Sequence, residues 1–202
     1  MSEFHIVTDD KVLEKKSFLE HAVEILQSGI PDVFHLRGPC TSSKKLMEFV
    51  GILSPIAKFN GTSFVINDRV DLALIRPSDG VHLGARSLRP QTVRKILGPE
   101  KIVGRSVHSV QEGVDMVAEG VDYLFLGSIF RTDSHPECVP LGLEPLQVLS
   151  DQVGVPVIAI GGVTSGRVST LLEAGAKGVA VLGDIWCAPS PMEAVLSYQN
   201  NC

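Results

Sequence analysis

The chain predicts a single (β/α)8 barrel spanning residues 1–202, and three observations lead there. Apolar runs at 155–160 and 178–182 each end in glycine, the pattern of a parallel strand buried on both faces. One unit keeps recurring: a helix stops at a breaker, a short polar turn follows, and an apolar strand begins, around Gly29, Gly80, Gly120 and Gly175. Finally, eight such strands alternate with amphipathic segments over a length that suits one domain. A doubly wound sheet is the alternative should one strand be miscounted.

In chain order, strands are expected at 4–8, 32–37, 63–67, 80–83, 102–106, 123–127, 155–160 and 178–182, each a short apolar run entered from a turn. Amphipathic helices are expected at 15–27, 43–57, 89–97, 110–118, 143–152, 165–174 and 191–198. Between the third and fourth strands only a turn or so of helix fits, at 69–74. The connection at 128–142 is long for a strand-to-helix loop, and such loops usually serve a site. No linker, low-complexity tract or second domain interrupts the pattern.

Composition narrows the function classes. A net charge of −5 without a basic stripe argues against nucleic acid. No apolar run approaches the roughly 18–20 residues that span a membrane. The first residues read as strand rather than signal peptide, which predicts a cytoplasmic protein. Cys40, Cys138, Cys187 and Cys202 contain no CxxC pair and read as free thiols.

A barrel of this class builds its reactive face from strand C-termini and the loops after them. Those positions collect Thr8 and Asp9, His35 and Arg37, Asn67 and Asp68, His82, Ser106 and His108, Ser128, and the loop carrying Thr132 and His135. After the seventh strand, Gly161 and Gly162 let backbone N–H groups approach a ligand, and a helix starts near Thr164. With Leu182 and Gly183 after the eighth strand they predict a phosphate cup, hence a small phosphorylated ligand. Arg37 reads either as an anion clamp or as one half of a rim salt bridge. Asp68 reads either as part of a helix cap or as a Mg²⁺- or ligand-orienting carboxylate. His35 and His82 alternate with apolar neighbours and should point into the lumen, as buried neutral imidazoles or as proton carriers.

Together the motifs resemble the superfamily of thiamin phosphate synthase and the TenI-type thiazole tautomerase. The matching pieces run the length of the chain: His5-Ile-Val-Thr-Asp9, His35-Leu-Arg37, Val65-Ile-Asn-Asp68, Asp79-Gly-Val-His-Leu-Gly84, Gly104-Arg-Ser-Val-His-Ser109, Asp122-Tyr-Leu-Phe-Leu-Gly127, Phe130-Arg-Thr-Asp133, Pro140-Leu-Gly-Leu-Glu144 and Ile158-Ala-Ile-Gly-Gly162. The resemblance implies a barrel that binds a thiazole phosphate. It also implies that a synthase would join a pyrimidine diphosphate to that thiazole with Mg²⁺. Asp68 matches the first metal carboxylate of the pattern, whereas Ser87 stands at the second, and Pro39 and His135 stand where the pattern has lysines. These departures count against a synthase and favour the metal- and cofactor-free tautomerase, an isomerase that aromatises a thiazole carboxylate phosphate. The tautomerase pattern, however, has its catalytic His where this chain has Ser128, so the proton is expected on His82, His35 or His135, with Ser128 orienting a water. Arg37, Asn67, Asp68, Ser106 and Thr132 would contact the substrate, and Gly161, Gly162, Leu182 and Gly183 its phosphate. A non-catalytic or regulatory thiazole or thiamin phosphate binder is the alternative, and a synthase a further one. A homodimer is an expected partner arrangement, through apolar residues after the third strand and near Trp186.

Overall fold

The computed structural model describes residues 2–134 and 136–199. Eight parallel strands close into a barrel in sequence order: β1 (Glu3–Val7), β2 (Val33–Leu36), β3 (Ser63–Asn67), β4 (Gly80–Leu83), β5 (Ile102–Val107), β6 (Tyr123–Leu126), β7 (Val157–Ile160) and β8 (Gly178–Val181). Ten helices are described around them: α1 (Asp10–Leu13), α2 (Phe18–Ser28), α3 (Ser43–Phe59), α4 (Val70–Ile75), α5 (Pro90–Leu97), α6 (Val110–Ala118), α7 (Glu144–Gln152), α8 (Val168–Glu173), α9 (Gly183–Trp186) and α10 (Pro191–Gln199). The expected (β/α)8 barrel is therefore the fold.

Local chemistry sets the element boundaries. Ser42 caps α3 by accepting the Lys45 N–H at 3.3 Å, and Ser109 caps α6 by accepting that of Glu112 at 3.2 Å. Gly29 ends α2 in the left-handed conformation, φ 62°, which a side chain would resist. Two short helices were not expected. Asp9, a candidate for the reactive face, instead caps α1 by accepting the Val12 N–H at 2.8 Å. Gly183 opens α9, which ends at a buried Trp186 whose indole N–H donates to the Val7 carbonyl. Trp186 is thus core rather than exposed surface, while Leu74 and Ile75 of α4 are exposed. Among the described residues no helix is long and apolar enough to cross a membrane.

Strand alternation divides the interior in two. Outward residues such as Phe4, Ile6, Phe34, Leu36, Phe64 and Ile66 pack under the helices in the main core. Each fully buried side chain of this kind contributes about 1.5–3 kcal/mol. Inward residues fill the lumen, where branched aliphatics usually dominate. Here Val7, Ile158 and Ala180 share it with aromatic rings and histidines. His5 stacks on His35 at 5.2 Å between ring centres, His35 meets His82 edge-on at 5.5 Å, and His82 lies 4.2 Å from Phe125. Gly104 makes room for this packing, since a Cβ there would lie 2.0 Å from the Tyr123 ring.

Candidate functional site

The barrel mouth is built from the ends of β2, β3, β4, β5 and β7. Thr8 locks β1 to β2 by donating its hydroxyl to the Arg37 carbonyl (3.0 Å) and accepting the Arg37 N–H (2.9 Å). That fixes the base of the Arg37 side chain. Arg37 is half-buried and its guanidinium makes no salt bridge among the described residues, so the rim ion-pair reading falls away. Arg37 is near enough to the lumen to disfavour a proton on His82.

Asp68 follows β3 with φ 63°, a left-handed backbone uncommon outside glycine and most tolerable for Asp or Asn. Its N–H donates to the His82 carbonyl at 2.9 Å. Its Oδ1 accepts the Gly84 N–H at 2.9 Å and the Ser87 hydroxyl, while no hydrogen bond to Oδ2 is described. The loop that delivers Gly84 and Ser87 is braced by Arg105, a buried guanidinium that donates to the carbonyls of Gly84 (2.8 Å) and Ala85 (3.3 Å). Arg105 was not among the candidates. The signal was a cation inside the apolar run of β5, on the face opposite Ser106.

His82 is fully buried and both ring nitrogens are engaged, Nδ1 with the Tyr123 hydroxyl at 2.9 Å and Nε2 with Ser106 Oγ at 2.8 Å. Burial, then the neighbouring His5, Arg105 and Arg37, push its pKa down to about 3. It is therefore a neutral imidazole that orients Ser106 rather than a free proton carrier. His35 is held well below its ordinary value by burial, then by His5 and His82, with Asn67 acting weakly the other way. His35 Nδ1 and Asn67 Oδ1 are both buried and without a hydrogen-bond partner among the described residues. His108, also on the reactive face, is occupied by the Gly127 carbonyl at 2.6 Å.

Gly161 and Gly162 carry φ of 93° and 64°. A Cβ on Gly161 would lie 2.5 Å from the Ser128 Cβ, and one on Gly162 would lie 2.4 Å from the Arg131 carbonyl oxygen. The two glycines thus allow the 128–142 loop to lie directly on the turn after β7. Arg167 ties the two together, donating to the Gly162 carbonyl at 2.6 Å and covering the Phe130 ring at 4.5 Å. Thr132 is half-buried in that loop and accepts the Ser134 N–H. His135 lies outside the described residues. Leu182 and Gly183 are half-buried where β8 passes into α9. Among the described residues no group of three or more His, Cys, Asp or Glu side chains forms a metal cage.

Comparison with known proteins identifies the family. The family model described as thiamine monophosphate synthase (TMP-TENI) matches residues 4–185. A thiamine-phosphate synthase of Chlorobium luteolum is 36% identical over 193 residues, covering 95% of this chain and 89% of the relative. That of Persephonella marina is 34% identical over 182 residues, covering 90% and 87%. The solved thiamine phosphate pyrophosphorylase of Pyrococcus furiosus superposes with a TM-score of 0.87 at 29% identity, covering 98% of this chain and 94% of that one. These findings overturn the expected thiazole tautomerase: the relatives carry the name of a synthase, a transferase rather than an isomerase, and the synthase that the departures counted against is the better-supported activity. The residues that suggested otherwise, Ser87, Pro39 and His135, are local departures within a chain-long similarity, and the chain belongs to the thiamine monophosphate synthase (TMP-TENI) family.

Proposed function

We propose that this chain is a thiamine-phosphate synthase, joining a pyrimidinylmethyl diphosphate to a thiazole phosphate. A carbon–nitrogen bond forms between the pyrimidine methylene and the thiazole ring nitrogen as the carbon–oxygen bond to diphosphate breaks. Pyrophosphate leaves with the bonding electrons. The observation that carries this reading is Asp68, a non-glycine residue in left-handed backbone, exposed at the mouth and anchored through one carboxylate oxygen.

That donor fits Mg²⁺, which is commonly held by one or two carboxylates, with substrate phosphates and water completing its shell. Asp68 Oδ2 would hold the ion beside the Ser87 hydroxyl, and the ion would supply charge neutralisation to the departing diphosphate. Arg37, with no internal salt bridge, pairs with the same diphosphate. Ser106, held by the Tyr123–His82 chain, donates or accepts at a ring heteroatom of the substrate. The turn at Gly161 and Gly162, with Leu182 and Gly183 beside it, receives the thiazole phosphate on backbone N–H groups. Thr132 and Ser128 close over it from the 128–142 loop. With Ser87 in place of a second carboxylate and Pro39 in place of a lysine, Arg37 and a single carboxylate carry more of the charge balance.

The test combines both substrates and Mg²⁺ and follows thiamin phosphate together with released pyrophosphate. Equal amounts of the two products, abolished by EDTA and by Asp68→Asn, are expected. Saturable thiazole phosphate binding with no product at any Mg²⁺ concentration would reduce the protein to a binder and overturn the proposal.

A further inference from the structure

A chain of hydrogen bonds runs up the lumen from the base of the barrel. Glu3 Oε2 lies 3.0 Å from His5 Nε2, and His5 Nδ1 lies 2.9 Å from His35 Nε2. His35 pairs with Val65 in the β2–β3 ladder, so Asn67 sits two residues further toward the mouth on the adjacent strand, on the same inward face. The Asn67 side chain is close enough to act on the His35 ring. Of the Asn67 amide, it is Oδ1 that is buried and without a partner, as is His35 Nδ1.

We propose that Glu3 keeps His5 doubly protonated, and that the hydrogen-bond polarity this imposes on His35 turns the Asn67 amide so that its NH2 group faces the anion bound at the mouth. The argument is one of donors and acceptors. A carboxylate only accepts, so His5 Nε2 carries a hydrogen toward Glu3. If that were its only one, His5 Nδ1 would accept from His35 Nε2–H, and His35 Nδ1 would be a bare lone pair facing Asn67 Oδ1, a second acceptor. Two buried acceptors would then oppose each other, each left unsatisfied out of reach of water. If His5 carries both hydrogens, His35 accepts at Nε2 and presents Nδ1–H to Asn67 Oδ1. A small turn of either side chain closes that bond, and the amide NH2 is left pointing outward as a donor.

The surroundings agree with an ionised acceptor at Glu3. The hydrogen bond to His5 holds the Glu3 carboxyl below its ordinary range, against the opposing effect of burial. Lys177, just before β8, favours the Glu3 carboxylate as well. The other groups near His5, namely His35, His82 and Tyr123, are all held neutral, mainly by burial. Glu3 and His5 are therefore positioning residues, remote from the reacting atoms. The anion in this inference rests on the synthase reading; the tautomer of His35 does not.

Long-range ¹H–¹⁵N correlation spectra of the full chain report the imidazole tautomers directly, and Mg²⁺ with inorganic pyrophosphate serves as the binding probe. In the wild type, His5 should be doubly protonated and His35 should carry Nδ1–H. Glu3→Gln is isosteric at a partly exposed position, so the fold is retained. It should move the His35 hydrogen to Nε2 and weaken pyrophosphate binding about 10- to 100-fold, the loss of one charge-assisted hydrogen bond. A wild-type His35 protonated at Nε2, or a tautomer unchanged in Glu3→Gln, overturns the relay. A switched tautomer with unchanged pyrophosphate affinity overturns the step to Asn67. The expected tautomers in a wild type that binds no pyrophosphate support the relay and refute the synthase reading.

Discussion

Acid should unfold this barrel from its lumen, and His82 sets how steeply. In the folded chain its pKa is about 3, depressed by burial and then by His5, Arg105 and Arg37, against an ordinary value of 6.5. Above 6.5 both folded and unfolded chains hold the ring neutral, and titration contributes nothing. As pH falls below 6.5 the unfolded chain takes up a proton that the folded chain refuses, so stability is lost with decreasing pH until about 3. The slope is roughly 1.4 kcal/mol per pH unit, and the full window amounts to about 5 kcal/mol. At about pH 5 the loss is about 2 kcal/mol, a large share of a typical domain's stability. His35, depressed in the same direction, adds to the slope. The assay is urea unfolding followed by circular dichroism from about pH 7.5 to about pH 5, on the wild type and His82→Gln. The substitution weakens the protein at every pH by disturbing the Tyr123 and Ser106 bonds, so the readout is the difference in pH dependence. The wild type should lose about 2 kcal/mol more than the variant over that interval. Parallel curves would mean that His82 accepts its proton in the folded chain, and the account of a neutral lumen would be wrong.

Three further outcomes follow from the mouth. Ser87→Asp places a second carboxylate against Asp68, and titration of pyrophosphate binding with Mg²⁺ should then half-saturate at least about fivefold lower in metal. An unchanged Mg²⁺ requirement would remove the ion from this corner of the site. Arg37→Met should raise the pyrophosphate Kd by about 10- to 100-fold, the worth of a charge-assisted contact, with little change in thermal stability because the guanidinium makes no salt bridge in the described structure. Equal loss of stability and binding would return Arg37 to a structural role. Gly161→Ala forces a side chain onto φ 93° and into Ser128, and should cost about 1–3 kcal/mol and displace the 128–142 loop. A melting temperature and thiazole phosphate affinity equal to wild type would contradict the tight turn.

Much of the fold was legible because its signals are local. Glycine-terminated apolar runs and amphipathic segments placed all eight strands and the main helices within a few residues. The seventh strand starts at Val157 rather than at 155, since Pro156 has no N–H to give the ladder, although its carbonyl accepts from Leu124. The helix expected from residue 15 begins at Phe18, because Asp9 diverts the chain into α1 first. Arg37, Asn67, Asp68, Ser106, Gly161 and Gly162 could be named from strand ends alone, because a barrel sends every strand C-terminus to one face.

The activity was misjudged for a related reason: single departures at Ser87, Pro39 and His135 were weighed above a likeness that extends over nearly the whole chain. Asp68 leans on Ser87 across 19 residues, His5 reaches His35 across 30, and His82 meets Tyr123 across 41. Those pairings depend on strand register around a closed barrel, which shifts a side chain between lumen and helix layer with each residue of slip. The sequence by itself determined the barrel, its reactive face and its glycine turns, since period and punctuation are read within a few residues. Only the tertiary structure decided that His82 is a buried prop for Ser106 and that Glu3 lies beneath the site, because burial and hydrogen-bond polarity exist only once the strands have met.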